Sequence, residues 1–243
     1  MSKHAFRSLL VLGLLGMVLF SISCEVINED NEANRDLTEV TEEEVWELPS
    51  PELEEGKKVE DALHHRVSRR NFTGDVLLQE HAAQILWAST GTGVDGVAGA
   101  TRTAPSAGAT DPLEIYLLAG NVENLAEGIY RYDYTSHDLT MIMEGDHREK
   151  LASAALNQNF IAEAPASIVL AADYGRTTAT YGERGRRYVH MEVGHAAQNI
   201  YLQAESLQLG TVAIGAFEDE DVQDILNTDH DPLMIMPVGE ADS

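Results

Sequence analysis

Apolar residues recur at helical spacing in four stretches of the chain. The longest, RYVHMEVGHAAQNIYLQAESLQLG, carries one apolar stripe formed by Val189, Val193, Ala196, Ile200, Ala204 and Leu207. This spacing predicts a long helix, and Gly210 is expected to end it. Shorter helices are predicted by the same criterion over Val59–Arg70, Leu77–Ser89 and Asp219–Leu226.

Short runs of apolar and β-branched residues predict strands between these helices. The runs are LEIYLLA, SIVLAADY, TVAIGAF and PLMIMPVG, and GIYRYDYTSHDLTMI is typical of a hairpin that turns around Tyr134–His137. The strands follow one another without the regular strand–helix–strand alternation of a parallel sheet. An α+β fold is therefore expected, with a central, mostly antiparallel sheet, flanking helices and a long central helix.

Residues 1–24 have the pattern of a signal peptide. Two basic residues precede an apolar run from Leu9 to Phe20, which is shorter than the roughly 18 residues of a membrane-spanning helix. Cys24, the only cysteine, stands where a lipoprotein signal places its lipidated residue. Ser21 departs from the leucine usual at such sites, which leaves an uncleaved anchor as an alternative. We expect an extracytoplasmic lipoprotein of the cell envelope, attached to the membrane through this N-terminal lipid anchor only.

Composition separates an acidic tether from a folded domain. Residues 25–57 are dominated by Asp, Glu and Asn and lack apolar periodicity, which predicts a disordered tether. Residues 58–243 are long enough for one domain with a sizeable core. The chain has 41 acids against 16 bases and a formal net charge of −25, which argues against nucleic acid or an anionic membrane surface as a partner. A few specific arginines must therefore meet any phosphate on its ligand.

Two motifs suggest chemistries that their context does not support. GTGVDG matches the glycine pattern of dinucleotide-binding loops, but a helix is predicted before it rather than after it, so a flexible loop is expected. His190 and His195 are five residues apart, which leaves them roughly 140° apart around a helix and unable to share a metal ion. We therefore predict no metal site, and expect one packed and one surface histidine.

Two other segments contain residues that are suited to binding a ligand. RVSRRNF gathers arginines and a hydroxyl that can form charge-assisted hydrogen bonds to a phosphate and a polyol chain, although a solvated basic helix end is the alternative. RTAPSAGATDPLEIY places small or rigid residues directly before a strand, which allows a flat ligand to approach the backbone.

These segments, together with YGERGRRYVHMEVGHAAQNIYLQAESLQLGTVAIGAF and the closing PVG, resemble the nitroreductase superfamily of flavin enzymes. Within it, they resemble the SagB-type dehydrogenase domain, from about Arg66 to Gly239. The resemblance implies a nitroreductase-like fold, bound FMN and a homodimer with two flavins at the subunit interface.

The resemblance also implies which residues contact the flavin. Those expected at the phosphate, ribityl and pyrimidine side are Arg66, Val67, Ser68 and Arg70. Those expected against the isoalloxazine, in many members across the subunit interface, are Pro105, Ser106, Ala107 and Gly108. Those expected near flavin N5 are Ile214, Gly215 and Ala216.

Two departures from the family pattern bear on function. Related chains commonly carry a basic residue after PVG, whereas this chain continues EADS. Members that oxidise azolines typically carry Lys-Tyr before GERG, whereas Thr180 precedes Tyr181 here. Tyr181 remains a candidate catalytic proton donor, without its usual basic neighbour.

The sequence thus predicts an FMN-dependent oxidoreductase that transfers hydride between flavin N5 and a small organic substrate. The alternative is a non-catalytic binding or scaffold lipoprotein that keeps the fold without flavin. The missing C-terminal base and the acidic surface favour this alternative, and the intact flavin-facing segments favour the enzyme.

Overall fold

The computed structural model describes residues 44–96 and 99–242. In chain order, the strands of these residues are β1 (Val45–Glu47), β2 (Thr92–Gly96), β3 (Gly99–Arg102), β4 (Leu113–Ala119), β5 (Gly128–Asp133), β6 (Asp138–Glu144), β7 (Ala166–Ala172), β8 (Gly210–Thr211) and β9 (Asp231–Gly239). The α-helices are α1 (Val59–His65), α2 (Gln79–Thr90), α3 (Arg148–Ala154), α4 (Phe160–Glu163), α5 (Tyr174–Tyr181), α6 (Arg184–Ser206) and α7 (Asp219–Leu226).

Seven of these strands form one sheet in the order β1-β6-β5-β4-β7-β9-β8. Every neighbouring pair in it is antiparallel. Strand β7 lies near the centre and all of its residues are buried, as its sequence, apolar except for Ser167, predicts. The predicted hairpin is confirmed as β5 and β6, and the α+β class is confirmed by the helices packed on both faces of an antiparallel sheet.

The alternating side chains of β4 divide the core into two layers. Ile115 and Leu117 point to the layer that contains the stripe of α6, and Tyr116 and Leu118 point to the layer under α3, α4 and α7. The predicted α6 stripe is buried from Val189 to Ala204. Helix α6 therefore lies across one face of the sheet, where its remaining faces can carry a site.

Two predicted helices end differently in the structure. The helix expected over Val59–Arg70 stops at His65, because the chain beyond it is held by backbone bonds that a helix cannot make: Arg69 N–H donates to Thr211 O at 3.0 Å and Thr73 N–H to Glu240 O at 3.0 Å. The helix expected over Leu77–Ser89 occupies Gln79–Thr90 instead. Tertiary pairing has thus overridden the local helical pattern at the end of the first helix, while the second differs from its predicted bounds by only one or two residues.

Gly210 does not end the long helix. Helix α6 starts at Arg184 and ends at Ser206, and Gln208 adopts the left-handed conformation with φ 62°. Gly210 instead lies in β8, where an added Cβ would stand 2.5 Å from the Cβ of Ala241. Its small size serves close packing rather than helix termination.

Two expected irregular segments are partly ordered. GTGVDG was expected to be a flexible loop, but Thr92–Gly96 pairs with Gly99–Arg102 as an antiparallel ribbon. The second half of the expected tether belongs to the fold, because β1 pairs with β6 and the Trp46 ring packs edge-on against Tyr130 at 5.2 Å. The predicted leader, Cys24 and residues 25–43 lie outside the described residues. Among the residues described, no helix is both long and apolar enough to cross a bilayer.

Candidate active site

Tyr201, on α6, joins two of the three predicted ligand-binding segments. Its hydroxyl lies 2.9 Å from Ser68 Oγ and accepts the Ala213 N–H at 2.8 Å. Its ring lies under the Arg66 guanidinium, whose carbon is 5.0 Å from the ring centroid. One tyrosine thereby places the Arg66–Ser68 segment beside the chain that leads into Ile214.

The predicted segment 214–216 begins at a buried residue and then exposes its backbone to solvent. Ile214 is buried and exchanges two backbone hydrogen bonds with Ile235, at 2.9 and 3.0 Å. Gly215 and Ala216 are exposed, and no atom lies within 4 Å of a Cβ added at Gly215. Gln158 donates to Ala216 O at 3.1 Å, which holds this backbone in place.

Arg70 lies over the ring of Phe160. Its guanidinium carbon is 5.9 Å from the ring of Phe160, which is two residues from Gln158. Neither Arg70 nor Arg66 forms an ion pair with a carboxylate in the described part of the chain. Val67, between them, is 51% exposed. In a chain of net charge −25, Arg66 and Arg70 thus carry positive charge that no carboxylate of the described residues neutralises.

The loop Pro105–Gly108 packs against Tyr181 of its own chain. Gly108 has φ 61°, and a Cβ added there would collide with the Tyr181 hydroxyl. The small residue at this position therefore accommodates a side chain of the protein as well as a left-handed turn. Ser106 Oγ accepts the Asp111 N–H at 2.9 Å and closes the turn.

A polar edge of α6, which sequence reasoning missed, holds this loop. Asn199 Nδ2 donates to Thr103 O at 3.0 Å, and His195 Nδ1 lies 3.3 Å from Pro105 O. The Glu192 carboxylate faces the Ser106 hydroxyl and the Ala107 N–H. The spacing i, i+3, i+7 was the available signal, because it places these three α6 side chains along one side of a helix.

Glu192 is a buried acid at the centre of this contact. It is 5% exposed, and its Oε2 has no hydrogen-bond partner among the described residues. Burial raises the pKa of Glu192, while the Ser106 hydroxyl and the Arg102 guanidinium lower it; the net direction is upward. The site therefore contains a carboxyl group biased toward its neutral form.

Tyr181, the candidate proton donor, lies at the C-terminal end of α5. It is 37% exposed, and its ring meets Tyr188 edge-on with centroids 5.1 Å apart. Thr180, beside it, is exposed as well. Both histidines of HMEVGH are exposed, so the expectation of one packed histidine is wrong. His190 bonds to the Tyr174 hydroxyl, and His195 faces the loop. Within the described ranges, no group of three or more His, Cys, Asp or Glu side chains can hold a metal ion.

The three predicted segments form two groups along α6. Segment 66–70 meets Ala213, directly before segment 214–216, at Tyr201. The loop and the residues that lead into it are instead held by Glu192, His195 and Asn199. No hydrogen bond joins the loop to the other two segments among the residues described.

Comparison with known proteins identifies this arrangement. The nitroreductase family pattern matches residues 63–240, which include all three segments. The chain belongs to the nitroreductase family. The match covers most of the chain and supports a flavin-dependent oxidoreductase.

Individual relatives and solved structures are consistent with this family assignment. A Methanocaldococcus jannaschii protein named as a nitroreductase is 46% identical over 197 residues, covering 81% of this chain and 97% of that protein. A Ralstonia eutropha structure described as a nitroreductase aligns with TM-score 0.71 and 28% identity over 84% of this chain and 92% of its own. The Vibrio harveyi NADPH:FMN oxidoreductase, solved in complex with NAD+, shares the fold with TM-score 0.54 and 21% identity over 76% of this chain and 69% of its own.

Proposed function

We propose that this nitroreductase-family chain is an FMN-dependent oxidoreductase of the SagB type that acts on a small organic substrate. The observation that carries the proposal is the Tyr201 hydroxyl, which brings Ser68 together with the backbone of Ala213 beside two unpaired arginines. The four sequence blocks support the SagB assignment. The shared fold with an NADPH:FMN oxidoreductase supports FMN.

The residues present fit FMN. Arg66 and Arg70 supply positive charge without a competing carboxylate in the described residues, which suits a phosphate. The open space beside Gly215 suits a flat ring that must approach the backbone. The tail after PVG, which carries a base in many related chains, is instead tied to the arginine segment: Asp242 N–H donates to Asn71 O at 2.9 Å. The phosphate would therefore depend on Arg66 and Arg70 more than in those relatives.

Each segment has a separate task in this proposal. Bound FMN supplies hydride transfer at its ring nitrogen N5. Arg66 and Arg70 would hold the phosphate, and Ser68 would hold the ribityl chain from its position on Tyr201. The N–H groups of Gly215 and Ala216 would face the ring as hydrogen-bond donors. Tyr181 would donate a proton to the substrate.

A homodimer completes the proposed site. Among the described residues, no hydrogen bond joins the loop Pro105–Gly108 to the other two segments, which supports its use against the flavin of the second subunit. The mass of the purified protein in solution, measured by light scattering, tests this. A monomer that binds FMN would contradict a shared site.

We further propose that the domain is anchored to the extracytoplasmic face of the cell envelope through lipidated Cys24. The short apolar run and the acidic residues that follow Cys24 support this. Mass spectrometry of the mature N-terminus tests the proposal. A chain that keeps Met1, or is cleaved elsewhere without acylation, would contradict it.

The absorption spectrum of the purified chain tests the proposed cofactor. A yellow protein whose cofactor co-elutes with authentic FMN after denaturation supports the proposal. A colourless chain that stays free of flavin after incubation with FMN would refute it and favour a binding or scaffold protein.

A further inference from the structure

Glu205 is a buried carboxylate that anchors the arginine segment from outside the proposed site. Its Oε2 accepts Arg69 Nη1 at 2.8 Å and its Oε1 accepts Lys57 Nζ at 3.0 Å. The Glu205 side chain is 6% exposed, against 28% for Arg69 and 34% for Lys57. Burial opposes ionisation of Glu205, but the bonds from Arg69 and Lys57 outweigh it and lower its pKa.

Arg69 stands between two predicted flavin ligands, yet it points elsewhere. Ser68 reaches Tyr201, and the Arg70 guanidinium lies near Phe160. Arg69 instead runs along Gly210, where an added Cβ would lie 3.1 Å from Arg69 Cβ, and ends at Glu205. Its own backbone is fixed by the bond to Thr211 O.

Lys57, the second cation bonded to Glu205, connects the chain before α1 to the C-terminal end of α6. Lys57 bonds through its Nζ to Glu205 and through its backbone N–H to Ser206 Oγ at 3.0 Å. The chain from residue 57 then continues through α1 to Arg66. Both ends of α1 are thus held near the C-terminal end of α6.

We propose that Glu205, acting through Arg69, is a positioning residue that turns Arg66 and Arg70 toward the flavin phosphate. The inference rests on the proposed FMN function. In this view, Arg69 is not a phosphate ligand, because its charge is neutralised by a buried acid. Without the Glu205 charge, Arg69 is free to swing outward and the segment loses a fixed orientation.

The test compares affinities for FMN and riboflavin, which differ only by the phosphate. Glu205→Gln should weaken FMN binding by about ten-fold, the scale of a lost charge-assisted contact, while riboflavin binding changes little. A merely structural role would weaken both ligands alike. Glu205→Asp, which keeps the charge, should restore part of the preference for FMN. Glu220→Gln, an identical change at an exposed position on α7, is the matched control.

Arg69→Gln provides a second measurement that does not depend on folding of the Glu205 variant. It should reproduce the loss of FMN preference, and the double variant should be no worse than either single variant. If Arg69→Gln weakens FMN binding while Glu205→Gln does not, Arg69 binds the phosphate directly and the inference is wrong. A wild-type chain that binds neither flavin would refute the proposed function instead.

Discussion

Replacing Gly108 by alanine tests whether the loop and Tyr181 form one packed unit. Gly108 has φ 61°, a conformation that costs an alanine about 1 to 2 kcal/mol. The added Cβ also collides with the Tyr181 hydroxyl, so the tyrosine must move and lose its edge-on contact with Tyr188. Such an aromatic contact contributes about 0.5 to 1.5 kcal/mol.

The two costs add to a free-energy loss of about 1.5 to 3.5 kcal/mol. For a domain of this size, each kcal/mol lowers the melting temperature by about 2 to 4 °C, which predicts a decrease of about 3 to 14 °C. Thermal unfolding followed by circular dichroism measures it. Gly74→Ala is the matched control, because Gly74 also has a positive φ, of 77°, but an added Cβ meets only an ordinary contact at 3.5 Å.

A second comparison separates the collision from the backbone strain. In the Tyr181→Ala background, Gly108→Ala should cost only the backbone part, because the colliding hydroxyl is gone. If Gly108→Ala is no more destabilising than Gly74→Ala, or costs the same with and without Tyr181, the loop does not depend on this tyrosine and the reasoning fails.

The remaining predictions concern the flavin, the buried acid and the substrate. Arg70→Ala should weaken FMN retention by about ten-fold or more, measured by fluorescence titration, and an Arg66→Ala/Arg70→Ala variant that retains FMN like the parent would show that the site is misassigned. Burial raises the pKa of Glu192 in the folded state. As the pH rises, Glu192 therefore loses its proton in the unfolded state before it loses it in the native state. The stability of the parent relative to Glu192→Gln should therefore fall as pH rises from the usual range of a glutamate through the raised pKa, and a difference that is flat with pH would contradict this. The parent should oxidise azolines poorly, since Thr180 cannot act as a base, and loss of one such group typically costs about 10² to 10⁴ in rate; turnover that is rapid in the parent and unchanged by Thr180→Lys would place the base elsewhere.

The sequence by itself determined the elements whose signals are local. The period of the α6 stripe indicates a helix, and the polar residues between β5 and β6 indicate a turn. The short run of β7, apolar except for Ser167, is typical of a buried strand by its length and its β-branched residues. Four blocks in the right order were also enough to indicate the family. The resemblance assigns Ser68 and Ile214 to one flavin site, but it does not indicate the tyrosine that bonds to both Ser68 and Ala213.

Only the tertiary structure decided where the chain leaves these local patterns. The pattern predicts a helix up to Arg70, yet the Arg69 N–H pairs with Thr211 O and the Thr73 N–H, just beyond, pairs with Glu240 O in the C-terminal tail. Those long-range bonds cannot be read from neighbouring residues. Glu192 and Glu205 lie on the same helix and look alike in sequence. Their pKa values nevertheless shift in opposite directions, because Glu192 has an unpartnered buried oxygen whereas Glu205 meets two cations brought from residues 57 and 69. The charge and burial of a side chain depend on which distant segments fold against it. The residues next to it in the sequence do not contain that information.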